Sequence, residues 1–252
     1  MVNSKWFRRF GGASDGGLRL VCFPHAGASA TAYLRLSRTL PEGLDVLSVQ
    51  YPGRQDRRQE RPFTSLTALA KAVAGELAPF ADRPYAFFGH SMGAVVAYET
   101  ARLLAERRLP GPQRLFVSGR GAPGPRPNVH DRLATDADVL AAVRRLGGTE
   151  QTVLDDPELL ELVLPVLRAD YRALGSYTWM DGPALTVPVT ALIGNSDPVV
   201  TVQEAVEWRE HTRGAFSLEV FPGGHFYLDD QLTGVATAIT NGLLTDATAV
   251  AP

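Results

Sequence analysis

Short apolar runs closed off by glycine or proline, alternating with longer stretches of helical spacing, constrain the fold of this 252-residue chain more than any other feature. A short run that is apolar throughout suits a strand buried on both faces, and strands of that kind lie parallel, with helices crossing between them. The pattern predicts strands over 18–23, 45–50, 84–89, 113–118, 187–193 and 217–221. It predicts helices over 30–40, 64–81, 92–107, 202–212 and 228–244. Together these make an α/β fold around one mostly parallel, doubly wound sheet. With 45% apolar and 21% charged residues, a chain of this length can bury a sizeable core without staples.

The alternation breaks over 123–183, a stretch far longer than a single crossover needs. Its start, 121–127, is dense in glycine and proline and reads as an extended loop, while 136–146 and 157–174 carry helical spacing. Leu159, Leu160, Val163, Leu164 and Leu167 give the second helix a broad apolar stripe. Two readings compete: a helical pair packed on the sheet as extra core, or a lid over a hydrophobic acyl channel, with Leu160 and Leu164 turned to the substrate. The insertion falls among the loops at the ligand-binding edge of such a sheet, which favours the lid. The chain, 1–252, is then expected to form one domain carrying this insertion, with 245–252 fraying at the end.

Lys plus Arg number 25 against 27 Asp plus Glu, so the summed field gives no case for nucleic acid or an anionic membrane as partner. The first residues carry Lys5, Arg8 and Arg9 without the apolar stretch of a signal peptide, and no run approaches a membrane span. Cys22 is the only cysteine, which excludes an intrachain disulfide or a cysteine metal cluster. A cytoplasmic location is the expectation.

Within this framework one pentapeptide carries chemistry. Tyr85-Ala86-Phe87-Phe88 runs into Gly89-His90-Ser91-Met92-Gly93, which opens into a helical segment. G-x-S-x-G between a buried strand and a helix is a nucleophile elbow, a turn so tight that side chains at either flank would strike the neighbouring strand or helix. Glycine at Gly89 and Gly93 removes that clash and leaves the Ser91 hydroxyl at the tip. The alternative, a serine that merely caps the helix, leaves the flanking glycines unexplained.

A serine hydroxyl needs a base to take its proton and return it to the leaving group. His25, His90, His130, His211 and His225 are the candidates. His225 follows the last strand directly, in Pro222-Gly223-Gly224-His225-Phe226, where this kind of fold holds its base; His90 adjoins Ser91 but should point away from it. The acid should be Asp197, in the turn Asn195-Ser196-Asp197-Pro198 after the preceding strand, which gives the chain order Ser, Asp, His. The strand before that one leads into Gly119-Arg120-Gly121-Ala122 with no carboxylate. Asp197 could instead serve only an Asx turn, and Asp229 and Asp230 remain as alternative acids. An oxyanion hole needs two N–H groups: Met92, at the helix start, supplies one, and Ala26, in Phe23-Pro24-His25-Ala26-Gly27-Ala28, is the choice for the other.

Four segments taken together, Phe23-Pro24-His25-Ala26-Gly27-Ala28-Ser29, Tyr51-Pro52-Gly53-Arg54, Gly89-His90-Ser91-Met92-Gly93 and Gly223-Gly224-His225-Phe226, resemble the type II thioesterases that accompany polyketide synthases and nonribosomal peptide synthetases. The resemblance runs from about Arg19 to Leu244. It implies the α/β-hydrolase fold and an editing role, in which acyl groups are hydrolysed from the phosphopantetheine arm of acyl carrier or peptidyl carrier proteins, with no cofactor and no metal. It also implies an acidic partner, for which Arg54, Arg57, Arg58 and Arg61 could form a docking run; a solvated charged loop explains that run equally well. Tyr51 to Arg54 would shape the site entrance. Rival readings are a carboxylesterase or lipase for small or hydrophobic esters, a product-releasing cyclase, and a ligand receptor that keeps the hydrolase fold without turnover.

Overall fold

The structure, a computed structural model, describes residues 4–10, 17–126, 128–148 and 154–249. Seven strands form one sheet in the order β1-β3-β2-β4-β5-β6-β7. They are β1 (Phe7–Phe10), β2 (Arg19–Phe23), β3 (Asp45–Val49), β4 (Tyr85–His90), β5 (Leu115–Ser118), β6 (Val189–Gly194) and β7 (Phe216–Phe221). β2 to β7 are parallel, as the apolar runs predict, and β1 pairs antiparallel with β3.

β1 is an addition to the expected set. Its sequence, Phe-Arg-Arg-Phe, lacks an apolar run, and it stands at the sheet edge, where charge discourages further pairing. Arg9 from β1 and Arg19 from β2 converge on the buried carboxylate of Asp45 at the start of β3.

Side chains alternate between two cores along each central strand. Val21 and Phe23 join Phe87, Val96 and Leu69 on one face, under α2 (Leu66–Glu76) and α3 (Met92–Glu106). Leu20 and Cys22 join Phe88, Leu36 and Ile239 on the other, under α1 (Leu34–Thr39) and α7 (Leu232–Ala249). α2 stops at Glu76, ahead of Pro79, and a 3₁₀ turn takes its place. The predicted helix over 202–212 divides into α6 (Val202–Val206) and a 3₁₀ segment, Glu207–His211. α7 is assigned through Ala249, and residues 250–252, the end of the segment expected to fray, lie outside the described residues.

Between β5 and β6 lie the two helices expected there, α4 (Asp136–Leu146) and α5 (Pro157–Gly175). Their ends are written locally. Thr135 and Asp138 form a capping box at α4, and Gly147 ends it at φ +78°. Asp156 caps α5, with Pro157 at its first position. Leu167 is buried in the core, Leu160 and Val163 pack against it, and Leu159 is exposed, so the apolar stripe is narrower than the sequence pattern.

Candidate active site

All six parallel strands present their carboxyl ends at one edge, and β4, β6 and β7 each hand one functional side chain to it. β4 ends in the elbow, where Ser91 has φ +53° and ψ −116°, a conformation that costs a non-glycine residue about 1–3 kcal/mol. The neighbouring packing holds it there. The Ser91 N–H donates to the Ser118 carbonyl of β5 at 2.8 Å. A Cβ on Gly93 would lie 1.9 Å from the Phe23 carbonyl oxygen, and one on Gly89 would lie 2.3 Å from the Gly93 carbonyl oxygen. Glycine at both places lets α3 abut the end of β2.

His225 stands in the loop after β7, with its side chain 2% exposed, and Asp197 in the loop after β6, with its side chain 0% exposed. The two loops are laced by Asn195 N–H to Phe221 O at 2.8 Å and Ser196 N–H to Gly223 O at 2.9 Å. The Ser91 hydroxyl lies 3.0 Å from His225 Nε2, and His225 Nδ1 lies 2.8 Å from Asp197 Oδ2. With the proton assigned to Nδ1, the imidazole donates to the carboxylate and its Nε2 lone pair receives the serine proton. Asp197 also accepts from Val199 N–H through Oδ1 at 2.9 Å, so the Asx turn and the imidazole contact coexist on one side chain.

The amides of the 24–28 loop differ in their partners. Gly27 N–H donates to Asp170 Oδ2 at 2.8 Å and Ala28 N–H to His25 O at 3.1 Å, whereas the N–H groups of Ala26 and Met92 have no acceptor among the described residues. Met92 opens α3, whose amino end adds positive potential at that point.

The other histidines do other work. His90 is fully buried, with Nδ1 2.9 Å from Ser118 Oγ, which in turn lies 2.7 Å from the Tyr227 hydroxyl; desolvation holds it neutral, well below the ordinary histidine range. His211 lies 2.9 Å from the Tyr98 hydroxyl and packs against the Trp179 and Trp208 rings. His130 sits in a 3₁₀ turn, Val129–Asp131. Asp229 and Asp230 are exposed beyond the base loop.

A family model described as Thioesterase domain matches residues 18–243. The chain belongs to the thioesterase family. Thioesterase PikA5 of Streptomyces venezuelae is 47% identical over 240 residues, which cover 95% of this chain and 85% of that protein. The gramicidin S biosynthesis protein GrsT of Aneurinibacillus migulanus is 40% identical over 226 residues, 89% of this chain and 88% of its own. The solved type II thioesterase BorB, from the borrelidin biosynthetic cluster, superposes with a TM-score of 0.87 at 41% identity, covering 96% of this chain and 99% of BorB. This thioesterase is therefore a hydrolase of thioester bonds on the α/β-hydrolase fold.

Beside the triad of this thioesterase lies a cavity of about 20 Å³, lined by His25, Ala26, Val143, Leu146, Gly148, Tyr171 and Phe226. Leu160 and Leu164, the residues the sequence pattern turned toward substrate, are not among these; α4 supplies Val143 and Leu146 instead. Burial pushes His25 down to about 4, so it lines the cavity as a neutral ring, with Nδ1 3.0 Å from the Ala26 carbonyl oxygen. The proposed basic docking run divides. Arg54 is 4% exposed and paired with Asp170, and Arg57 is 3% exposed, paired with Glu60 and set 4.2 Å over the Trp6 ring. Only Arg58 and Arg61 of the four face solvent. Sequence reasoning missed Asp170, because no spacing rule links a helix in the insertion to a loop 143 residues earlier.

Proposed function

We propose that this thioesterase clears acyl groups from the phosphopantetheine arms of acyl carrier or peptidyl carrier proteins, as an editing partner of polyketide or nonribosomal peptide synthases. The observation that carries the chemistry is the hydrogen-bonded chain from Ser91 through His225 to Asp197, at 3.0 Å and 2.8 Å. Ser91 Oγ attacks the thioester carbon as its proton passes to His225 Nε2. The oxyanion is held by the N–H groups of Ala26 and Met92, and Asp197 stabilises the imidazolium. Collapse of the tetrahedral intermediate breaks the carbon–sulfur bond, and His225 returns the proton to the departing thiolate. Water, deprotonated by the same imidazole, then hydrolyses the acyl-enzyme. Every step is carried by side chains and backbone amides of this chain, and the reaction calls for no cofactor.

The insertion over 123–183 then serves as a lid on a single hydrolase domain. The cavity of about 20 Å³ that Val143, Leu146 and Tyr171 help to line has room for roughly one water, and in this reading α4 and α5 lift to admit an acyl chain. Among the described residues no helix is long and apolar enough to cross a membrane. A carrier-docking face is offered by a groove of about 750 Å³ between the 131–136 loop, α4 and α5. Arg132, Arg168 and Arg172 rim it together with Asp131 and Asp136, and Tyr171 forms a wall of both groove and inner cavity. Arg168 is paired with Asp136, which leaves the guanidiniums of Arg132 and Arg172 to meet an acidic carrier and its phosphodiester.

The deciding experiment compares rates on acylated carrier protein, acyl-pantetheine and oxygen esters of equal acyl length. The proposal expects kcat/KM to be highest on the acylated carrier and higher on thioesters than on esters. Preference for oxygen esters would make the protein a carboxylesterase.

A further inference from the structure

Asp170 lies in α5, 2% exposed, and its Oδ2 receives two donors: the Gly27 N–H at 2.8 Å and the guanidinium of Arg54. Leu167, one turn earlier on the same face of α5, meets Gly27 as well, since a Cβ there would lie 2.6 Å from Leu167 Cδ2. Arg54 is fixed in turn. It donates to the Pro52 carbonyl at 2.8 Å and to the Ala28 carbonyl at 3.3 Å, and lies 5.2 Å from the centroid of the Tyr51 ring. The Tyr51 hydroxyl donates to the Pro24 carbonyl at 3.3 Å. One buried ion pair thus ties together the 24–28 loop, the 51–54 loop and α5.

A buried ion pair is weak evidence for stability, because two apolar residues of equal volume usually serve a fold as well. What apolar residues cannot supply is an acceptor for Gly27 N–H. That amide is the neighbour of Ala26 N–H, which has no acceptor among the described residues. Gly27 has φ +78°, a conformation that favours glycine, and the peptide between Ala26 and Gly27 is held at both polar atoms, its N–H by Asp170 at 2.8 Å and its carbonyl oxygen 3.0 Å from His25 Nδ1. Burial holds the Asp170 carboxyl above the usual carboxylate range, and the Arg54 charge and the Gly27 N–H oppose that shift in part.

We propose that Asp170, held by Arg54, is a positioning residue for the oxyanion hole: by gripping the Gly27 N–H it aims the adjacent Ala26 N–H at the thioester oxygen. Because Asp170 belongs to α5, the hole is complete only while this lid helix is seated on the 24–28 loop. The inference rests on the assignment of Ser91 and Ala26 made above.

The test uses paired substitutions that leave no lone buried charge. Asp170→Leu with Arg54→Met removes the acceptor, and Asp170→Asn with Arg54→Gln removes the charges but keeps an amide oxygen for Gly27. Folding is checked by thermal melting, and Ser91→Ala, which must be inactive if the underlying reading holds, runs alongside. The apolar pair should lower kcat about 100-fold to 1,000-fold, the loss expected for a misplaced oxyanion donor, with KM within threefold. Affinity for an acyl trifluoromethyl ketone, whose adduct carries the oxyanion, should fall in parallel, while the pH profile set by His225 stays in place. The amide pair should recover kcat to within tenfold of wild type. A folded apolar pair with near wild-type kcat, or a kcat loss without loss of ketone affinity, would overturn the proposal. If the apolar pair does not fold, Asp170→Ala with Arg54→Gln, which admits solvent, is read the same way. Failure of both to fold would assign Asp170 to stability alone and likewise count against the proposal. Activity in Ser91→Ala would instead sink the underlying assignment.

Discussion

Truncating Ser91 or His225 to alanine is expected to lower turnover about 10⁴-fold to 10⁶-fold, and Asp197→Asn somewhat less, because the three act as a unit and the amides of Ala26 and Met92 remain. Steady-state rates on acyl-pantetheine, with melting curves to verify folding, check this. A second expectation concerns acid. His25 sits at about 4 in the folded chain against an ordinary 6.5, so between those values the unfolded chain binds a proton that the folded one refuses. Stability therefore falls as pH drops from 6.5 toward 4 and is restored above 6.5. His90 and His211, also shifted downward by burial, add in the same sense. Melting temperature against pH should show a shallower slope for His25→Gln than for wild type. At this scale the sequence placed Ser91, His225 and Asp197 each just after a strand, and the hydrogen-bonded contact among them follows from that placement. It was silent about Asp170, because burial of a carboxylate in a helix leaves no local mark.

The elements divide by how local their cause is. α4 and α5 start where the sequence says, because Thr135, Asp138, Asp156 and Pro157 satisfy their own helix ends. β1 escaped because Phe7–Phe10 carries two arginines and owes its conformation to pairing with β3 some forty residues on. α7 outruns its expected end at 244, and α6 is cut short by the 3₁₀ segment that follows it, which places Trp208 in the core. For the insertion, α4 rather than the Leu160 face of α5 borders the cavity beside the triad. Leu146→Trp should therefore shift acyl preference toward shorter chains before it abolishes turnover, measured across a series of acyl-pantetheines. An unchanged profile would contradict the lid.

Across the whole molecule, charge that looks like one basic run in sequence is sorted by the fold into two uses. Arg54 and Arg57 are held in internal pairs and Arg168 is paired with Asp136, so the outward cationic rim of the groove rests on Arg132 and Arg172, residues of two separate segments. Arg132→Glu with Arg172→Glu should raise KM for acylated carrier protein at least fivefold and leave rates on acyl-pantetheine near wild type; equal effects on both substrates would dismiss the docking face. The central claim, that Ser91 carries the acyl group during thioester hydrolysis, has one direct test. Rapid quenching of the enzyme with excess acyl-pantetheine, followed by peptide mass spectrometry, should find the acyl mass on the peptide containing Ser91 and lose it in Ser91→Ala. An adduct on another residue, or wild-type hydrolysis by Ser91→Ala, would contradict the account.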